Sequence, residues 1–194
     1  MMKALSKMTG GRIPAYRLGA HVSVSESKLK ENLDDRLEKL RNRGQQPMIC
    51  YEVATHAARS GNAITKAAEI ALKGEKNYSA RYLALMDIND TTLRPLFSSI
   101  EISESGFLNF KCRGAGVQHT AYIHKDADGT LTLVHNNGLS LDQELSQTHK
   151  SLERRGGANI YNLTAGHDAD INRYLIKNNL VMHYTPASHV NAKC

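Results

Sequence analysis

Tryptophan is absent from this 194-residue chain and phenylalanine occurs only three times. With no RNA-binding aromatic motif either, a dedicated nucleic-acid reader finds little support. Cysteine is scarce as well. Cys50, Cys112 and Cys194 cannot all pair with one another, and their spacing fits neither a zinc ribbon nor a disulfide-rich module. That suits work in a reducing compartment. No apolar run approaches the length of a membrane span, and the first thirty residues lack the apolar core and small-residue cleavage site of a secretory signal. These absences predict a protein without stable membrane insertion, without a nucleic-acid partner and outside the general secretory route.

A net charge of +6 is present, but its positive residues are spread along the chain apart from clusters at Arg36 to Arg43 and Arg154-Arg155, which fits a mildly basic solvated surface. Residues 1–24 are rich in Gly, Ser and basic residues without periodicity and read as a flexible leader. A single domain over residues 25–194 is expected to follow. Leu29, Leu33, Leu37 and Leu40 recur at helical spacing and end at Arg43-Gly44, a basic last turn with a glycine stop. After Pro47, Cys50 to Arg59 reads as a second helix. Cys50 stands in its first turn, where unpaired backbone N–H groups and the positive end of the dipole favour a thiolate.

Helical patterns continue over 62–73 and from Tyr78 to Met86, the latter with Asn77 as its cap. Ile100, Ile102 and Phe107 to Phe110 predict extended segments that partner a central hairpin. In that hairpin, Val117 to His124 and Thr130 to Val134 flank Asp126-Ala127-Asp128-Gly129, whose Asp-Gly pair suits a tight antiparallel turn. Antiparallel pairing then brings His119, which opens the first strand, beside His135, Asn136 and Asn137 at the end of the second. A histidine held by an acceptor on the neighbouring strand is the base and orienter of a nucleophilic triad. Beyond Gly138, Leu141, Leu145, Thr148 and Leu152 predict a helix closed by Arg154-Arg155-Gly156-Gly157. Another helix is expected over 168–178, and a last strand over 180–184. Helices first, then mostly antiparallel strands, is the α+β pattern.

Rival chemistries find less in the chain. His119 and His124 lie five apart on one strand and point to opposite faces, so they cannot easily share an ion. His167-Asp168-Ala169-Asp170 lacks a partnering ligand motif, and helix capping by Asp168 explains it. Neither a metal nor another cofactor is expected. Gly114-Ala115-Gly116 precedes a strand instead of opening a helix, so it is no phosphate loop; its glycines let the backbone bend ahead of His119. Cys112, at the end of an apolar strand, reads as core, and His56 as structural.

The stretch GVQHTAYIHKDADGTLTLVHNNG, with Cys50 opening an earlier helix, resembles papain-like cysteine proteases, and most of all secreted bacterial effectors of the YopT/AvrPphB type. The resemblance spans roughly residues 45–138 and implies N-terminal helices carrying the nucleophile, packed on a mostly antiparallel sheet. It makes Cys50 the nucleophile and His119 the base. For the third member the family spacing selects His135, whereas carboxamide chemistry selects Asn136 or Asn137; Asn136 is our first choice. Gln45 or Gln46 is the corresponding oxyanion donor, with Gln46 our first choice. The implied activity is thiol hydrolysis of an amide in a host protein, by proteolysis first and by glutamine deamidation or acyl transfer second. The implied location is the host cytoplasm, reached by a non-classical effector route. A different class of function would be a non-enzymatic interaction module whose basic helix over 28–43 binds an acidic protein or membrane.

Overall fold

A computed structural model describes residues 23–45, 47, 49–75, 79–136, 139–148, 153–163 and 166–194. Its centre is an antiparallel sheet. Strands β1 (Gly106–Cys112), β2 (Val117–Lys125), β3 (Leu131–His135), β4 (Glu153–Arg155), β5 (Ala158–Leu163) and β6 (Leu180–Pro186) lie in the order β4-β5-β3-β2-β1-β6. The fold is therefore α+β, as the order of patterns predicts. The hairpin of β2 and β3 pairs Tyr122 with Val134 and Lys125 with Leu131. Asp126 receives the Gly129 amide on its carbonyl and the Thr130 amide on its carboxylate, which closes the turn.

Side chains alternate across this sheet into two separate cores. Phe107, Tyr122, Val134 and Ile160 face one layer, made of α1 (Glu26–Asn42), α2 (Cys50–Ser60), α3 (Lys66–Gly74) and α4 (Ala80–Leu85). Leu108, Phe110, Ala121, Ile123, Leu133 and Tyr161 face the other, made of α5 (Leu139–Thr148) and α6 (His167–Lys177). With apolar groups on both faces the central strands lose the clean alternation of a half-exposed sheet. The short α7 (Ala187–Ala192) follows β6 and contributes Val190 to the first core.

Several expectations shift in detail. Glu153–Arg155 does not close a helix. It pairs with Ala158 to Ile160 through Gly156 and Gly157, whose φ values of 56° and 99° supply the left-handed pair that a two-residue hairpin needs. The strand after that turn, β5, has no counterpart among the sequence expectations. The third helix starts at Lys66, not residue 62, because Asn62 adopts a positive φ and Thr65 caps the helix through the Ala68 amide. Ser79 caps α4; the expected cap, Asn77, lies outside the described residues, as do Tyr78 and Leu152. Residues Ser99–Glu101 form a 3₁₀ turn instead of a strand, since the backbone there bonds side chains of α6: Asn172 receives the Phe97 amide, and Asp168 receives the amide and hydroxyl of Ser99. Asp168 is thus no cap; Gly166 occupies that position.

Ser23 and Val24, expected to belong to the leader, dock onto the sheet layer. Val24 donates to the Gly61 carbonyl and accepts from His124 Nε2 at 2.7 Å, and the Ser23 and Ser105 hydroxyls meet. Gly61 itself ends α2 hard against β2, where a Cβ would sit 2.5 Å from the Tyr122 hydroxyl. Among the described residues, no helix is long and apolar enough to cross a membrane.

Candidate active site

Two elements of similar length set the geometry. Eleven residues of α2 span about 16 Å, and the five steps from His119 to His124 on β2 span about 17 Å. Gly61, just past the end of α2, abuts Tyr122 and His124 of β2, and Cys50 opens the helix at its other end. Tyr51, next to Cys50, packs edge-on against Tyr82 with ring centres 6.0 Å apart, and the Tyr82 hydroxyl meets Asn109 and Thr120, the neighbour of His119. Charge on Cys50 also acts on Tyr174 of α6: burial raises that hydroxyl, a bond from Ser140 opposes it, and Cys50 adds to the rise. Tyr174 in turn packs on Phe110, against which the His119 ring stacks at 5.9 Å. Cys50 is thereby linked to His119 only indirectly, through Tyr174 and Phe110.

The two residues approach from different layers. His119 pairs with Phe110 and shares the face of Leu108 and Ala121, under α6, whereas α2 covers the face of Tyr122 and Val134. His119 is buried, and its Nε2 lies 3.1 Å from His135 Nδ1. His135 is fully buried, stacked on Tyr161, and its Nε2 lies 3.2 Å from Asp142 Oδ1 in an off-line contact. Asp142, in the first turn of α5, is held by the Tyr161 hydroxyl at 2.5 Å and by Asn159 Nδ2 at 2.8 Å.

Proton positions along this line follow from its end. The carboxylate beside His135 Nε2, although off the line of a hydrogen bond, favours a proton on that nitrogen through its charge. His135 Nδ1 then accepts, and His119 Nε2 donates to it. His119 Nδ1 is left as an acceptor, and it has no hydrogen-bond partner among the described residues. Burial, helped by the neighbouring His135, pulls the His119 pKa down to about 3 against the opposing pull of Asp142, so the ring is neutral near pH 7. Burial also disfavours charge on Asp142, but the contacts with His135 and Tyr161 and the field of Arg154 outweigh it and hold the carboxyl below its ordinary range.

The residue that meets His119 is thus His135, not Asn136. Asn136 follows one position after β3 ends and is buried, with its Oδ1 unpaired. Asn137 and Gln46 lie outside the described residues. Cys112, expected in the core, is half-buried and lines a cleft of about 390 Å³ together with His119 and Tyr174. It sits at the end of β1, past a bulge at Phe110/Lys111 and paired with Leu180 of β6. His56 accepts from Arg36 Nε at 2.7 Å inside a buried group that includes Glu69, a structural place.

Asp142, Asn159 and Tyr161 escaped the sequence argument. Asp142 carries one signal: it lies beside Leu141 on the stripe that Leu145 continues, so a carboxylate sits at the edge of a buried helix face. Among the described residues no group of three or more His, Cys, Asp or Glu side chains is arranged to hold a metal ion.

No curated protein and no solved structure matches the chain. A family model described as "Domain of unknown function (DUF8038)" matches residues 29–194, a span that takes in Cys50, His119, His135 and Asp142. The chain belongs to the DUF8038 family.

Proposed function

We propose that the chain is a thiol hydrolase of papain-like layout that attacks an amide of a protein substrate. Cys50 is its nucleophile, His119 its base and His135, backed by Asp142, the group that orients the base. One observation supports this reading above the others: His119 bonds His135 beside the Asp142 carboxylate, and its Nδ1 has no hydrogen-bond partner among the described residues. Nδ1 of a neutral His119 takes the thiol proton as Sγ bonds the carbonyl carbon, and the imidazolium that forms is stabilised by Asp142 through His135. The same proton then goes to the departing nitrogen. Water, activated by His119, releases the acyl group from sulfur. Backbone N–H groups of the first turn of α2 and the Gln46 amide are the proposed oxyanion donors. The resemblance extends the proposal to a host protein, met in host cytoplasm after delivery from a bacterium by a non-classical route.

Docking through the basic helix draws less support, since three of its six basic residues are engaged in ion pairs. Lys30 pairs with Glu26 and Glu153, Lys28 with Glu31 and Arg36 with Glu69. Alkylation by iodoacetamide, mapped to individual cysteines by mass spectrometry, tests the hydrolase reading. Cys50 is expected to react near pH 7 at least roughly tenfold faster than a free model thiol, and to lose that advantage in His119→Ala. A Cys50 no faster than the model thiol, and indifferent to His119, sinks the proposal.

A further inference from the structure

Of the three cysteines, Cys112 lines the cleft of about 390 Å³ that His119 also lines. Both side chains leave the same face of the sheet. Phe110 pairs with His119 and stacks on its ring, and Cys112, two residues further along β1, packs with Phe110 against the core beneath α5 and α6. Diagonal neighbours of this kind on paired strands lie roughly 7 Å apart, within reach of a ring. Cys112 is thus set beside His119 by adjacent strands, whereas Cys50 is linked to it only through intervening rings.

The open nitrogen of His119 completes the pair. The residue is only 4% exposed, yet Nδ1, which has no hydrogen-bond partner among the described residues, is not sealed from solvent. With Nε2 spent on His135, Nδ1 is the polar edge left to meet a group in the cleft, and the neutral ring accepts there. The walls select what can enter. Ala115 and Leu180 are apolar, Ser140 and Tyr174 carry hydroxyls, and among the described residues no Asp, Glu, Lys or Arg lines the cleft. A charged group would lose water there and find no counter-charge.

We propose that Cys112 is a site of covalent modification by a small, uncharged α,β-unsaturated carbonyl compound, with His119 as the base that activates its thiol. Nδ1 takes the thiol proton as Sγ bonds the β-carbon. The π pair of the double bond moves onto the carbonyl oxygen as an enolate, and the same proton then returns from Nδ1 to the α-carbon as the carbonyl re-forms. The net change is addition of S–H across the double bond: nothing is oxidised and nothing leaves. A base that both takes and returns one proton suits such an addition, and no co-reactant is required. The assignment goes beyond the hydrolase reading and does not depend on Cys50.

Acrylamide, an uncharged member of this class, tests the site on the full chain at pH 7, with adducts mapped to each cysteine by mass spectrometry. Cys112 is expected to react at least roughly tenfold faster than a free model thiol. It should keep that rate in Cys50→Ala and fall to the model thiol's rate in His119→Ala and His119→Gln, each checked for fold by circular dichroism. A second comparison needs no variant: iodoacetate, the anionic counterpart of iodoacetamide, should lose roughly tenfold more rate against it at Cys112 than at the model thiol. A Cys112 no faster than the model thiol, one equally fast without the His119 ring, or one blind to the charge of the reagent overturns the assignment, whatever Cys50 does. A fast, His119-dependent Cys112 beside an inert Cys50 upholds it and sinks the hydrolase instead.

Discussion

His119 and His124 stand at opposite ends of β2, are both buried and are both held in hydrogen-bonded lines, yet the two lines differ in how they end. His124 donates from Nε2 to the Val24 carbonyl and accepts on Nδ1 from the Tyr122 hydroxyl at 2.9 Å, with the Ser105 hydroxyl at 3.4 Å. Both nitrogens are used, and every partner is neutral. His119 spends one nitrogen on His135, whose Nε2 lies 3.2 Å from the Asp142 carboxylate, and its other nitrogen has no hydrogen-bond partner among the described residues. A saturated neutral network has nothing left to do but hold its elements together. A network with a charge at one end and an open acceptor at the other can move a proton.

The sharpest way to break this contrast is to delete each ring. His119→Ala is expected to lower Cys50-dependent turnover by about a thousandfold, as for loss of a general base, with the fold retained by circular dichroism. His124→Ala is expected to do the reverse: it strands the Val24 carbonyl and the Tyr122 hydroxyl and opens a cavity, at about 3 kcal/mol, or a Tm drop of about 9 °C. Equal effects of the two variants on both readouts would erase the distinction.

Acid is the next lever. Burial lowers the pKa of His119 and of His56 to about 3, in His56 with added repulsion from Lys73 and Arg36. Both folded-state values lie below the ordinary histidine value of 6.5, so between the two the unfolded chain binds protons that the folded one refuses. Stability is then fully present above pH 6.5 and falls as pH drops toward 3. Urea midpoints measured across this window should decline, and His119→Gln should flatten the decline by one proton, about 1.4 kcal/mol per pH unit. An unchanged slope in that variant would show that the His119 ring is charged in the folded protein.

The sequence carries the contrast only in part, for physical reasons. Hairpin residues announce themselves because Asp126 to Gly129 fix a turn, and the turn fixes which residues lie opposite. That register runs from Tyr122↔Val134 toward the rim and narrows the neighbours of His119 to residues 135–137. It does not choose among them. The choice depends on the face: His135 shares the face of Leu133 and Tyr161, where His119 also points, and the sheet is apolar on both sides, so pattern alone does not label the faces. Asp142 is further from view. Its place depends on α5 lying over β5, and β5 hides behind a Gly156-Gly157 turn that also resembles the end of a helix. The Cys50 position is legible for the opposite reason, since a helix start is a local signal.

Asp142→Asn sharpens the comparison at the next level down. The amide keeps the shape but neither fixes the His135 tautomer nor balances a charged His119. Turnover is expected to fall roughly a hundredfold, the scale seen when an outer partner of a catalytic group is lost, while the urea midpoint changes far less. A variant with full turnover would leave His135 without need of a carboxylate and reduce its contact with Asp142 to packing.

The smallest expected effects come from the two tyrosines that serve the two histidines. Tyr122→Phe removes the donor to His124, and Tyr161→Phe removes the donor to Asp142. Each loses one buried hydrogen bond, so each should cost about 1 kcal/mol of stability. Their pH dependence should differ. The Tyr161 hydroxyl is one of the groups that hold the Asp142 carboxyl below its ordinary range, so without it that carboxyl protonates at higher pH. The acid limb of Cys50 turnover should therefore move upward in Tyr161→Phe and stay in place in Tyr122→Phe. Had both lines been structural, neither substitution would move that limb, because no titrating group in them would be coupled to the thiol.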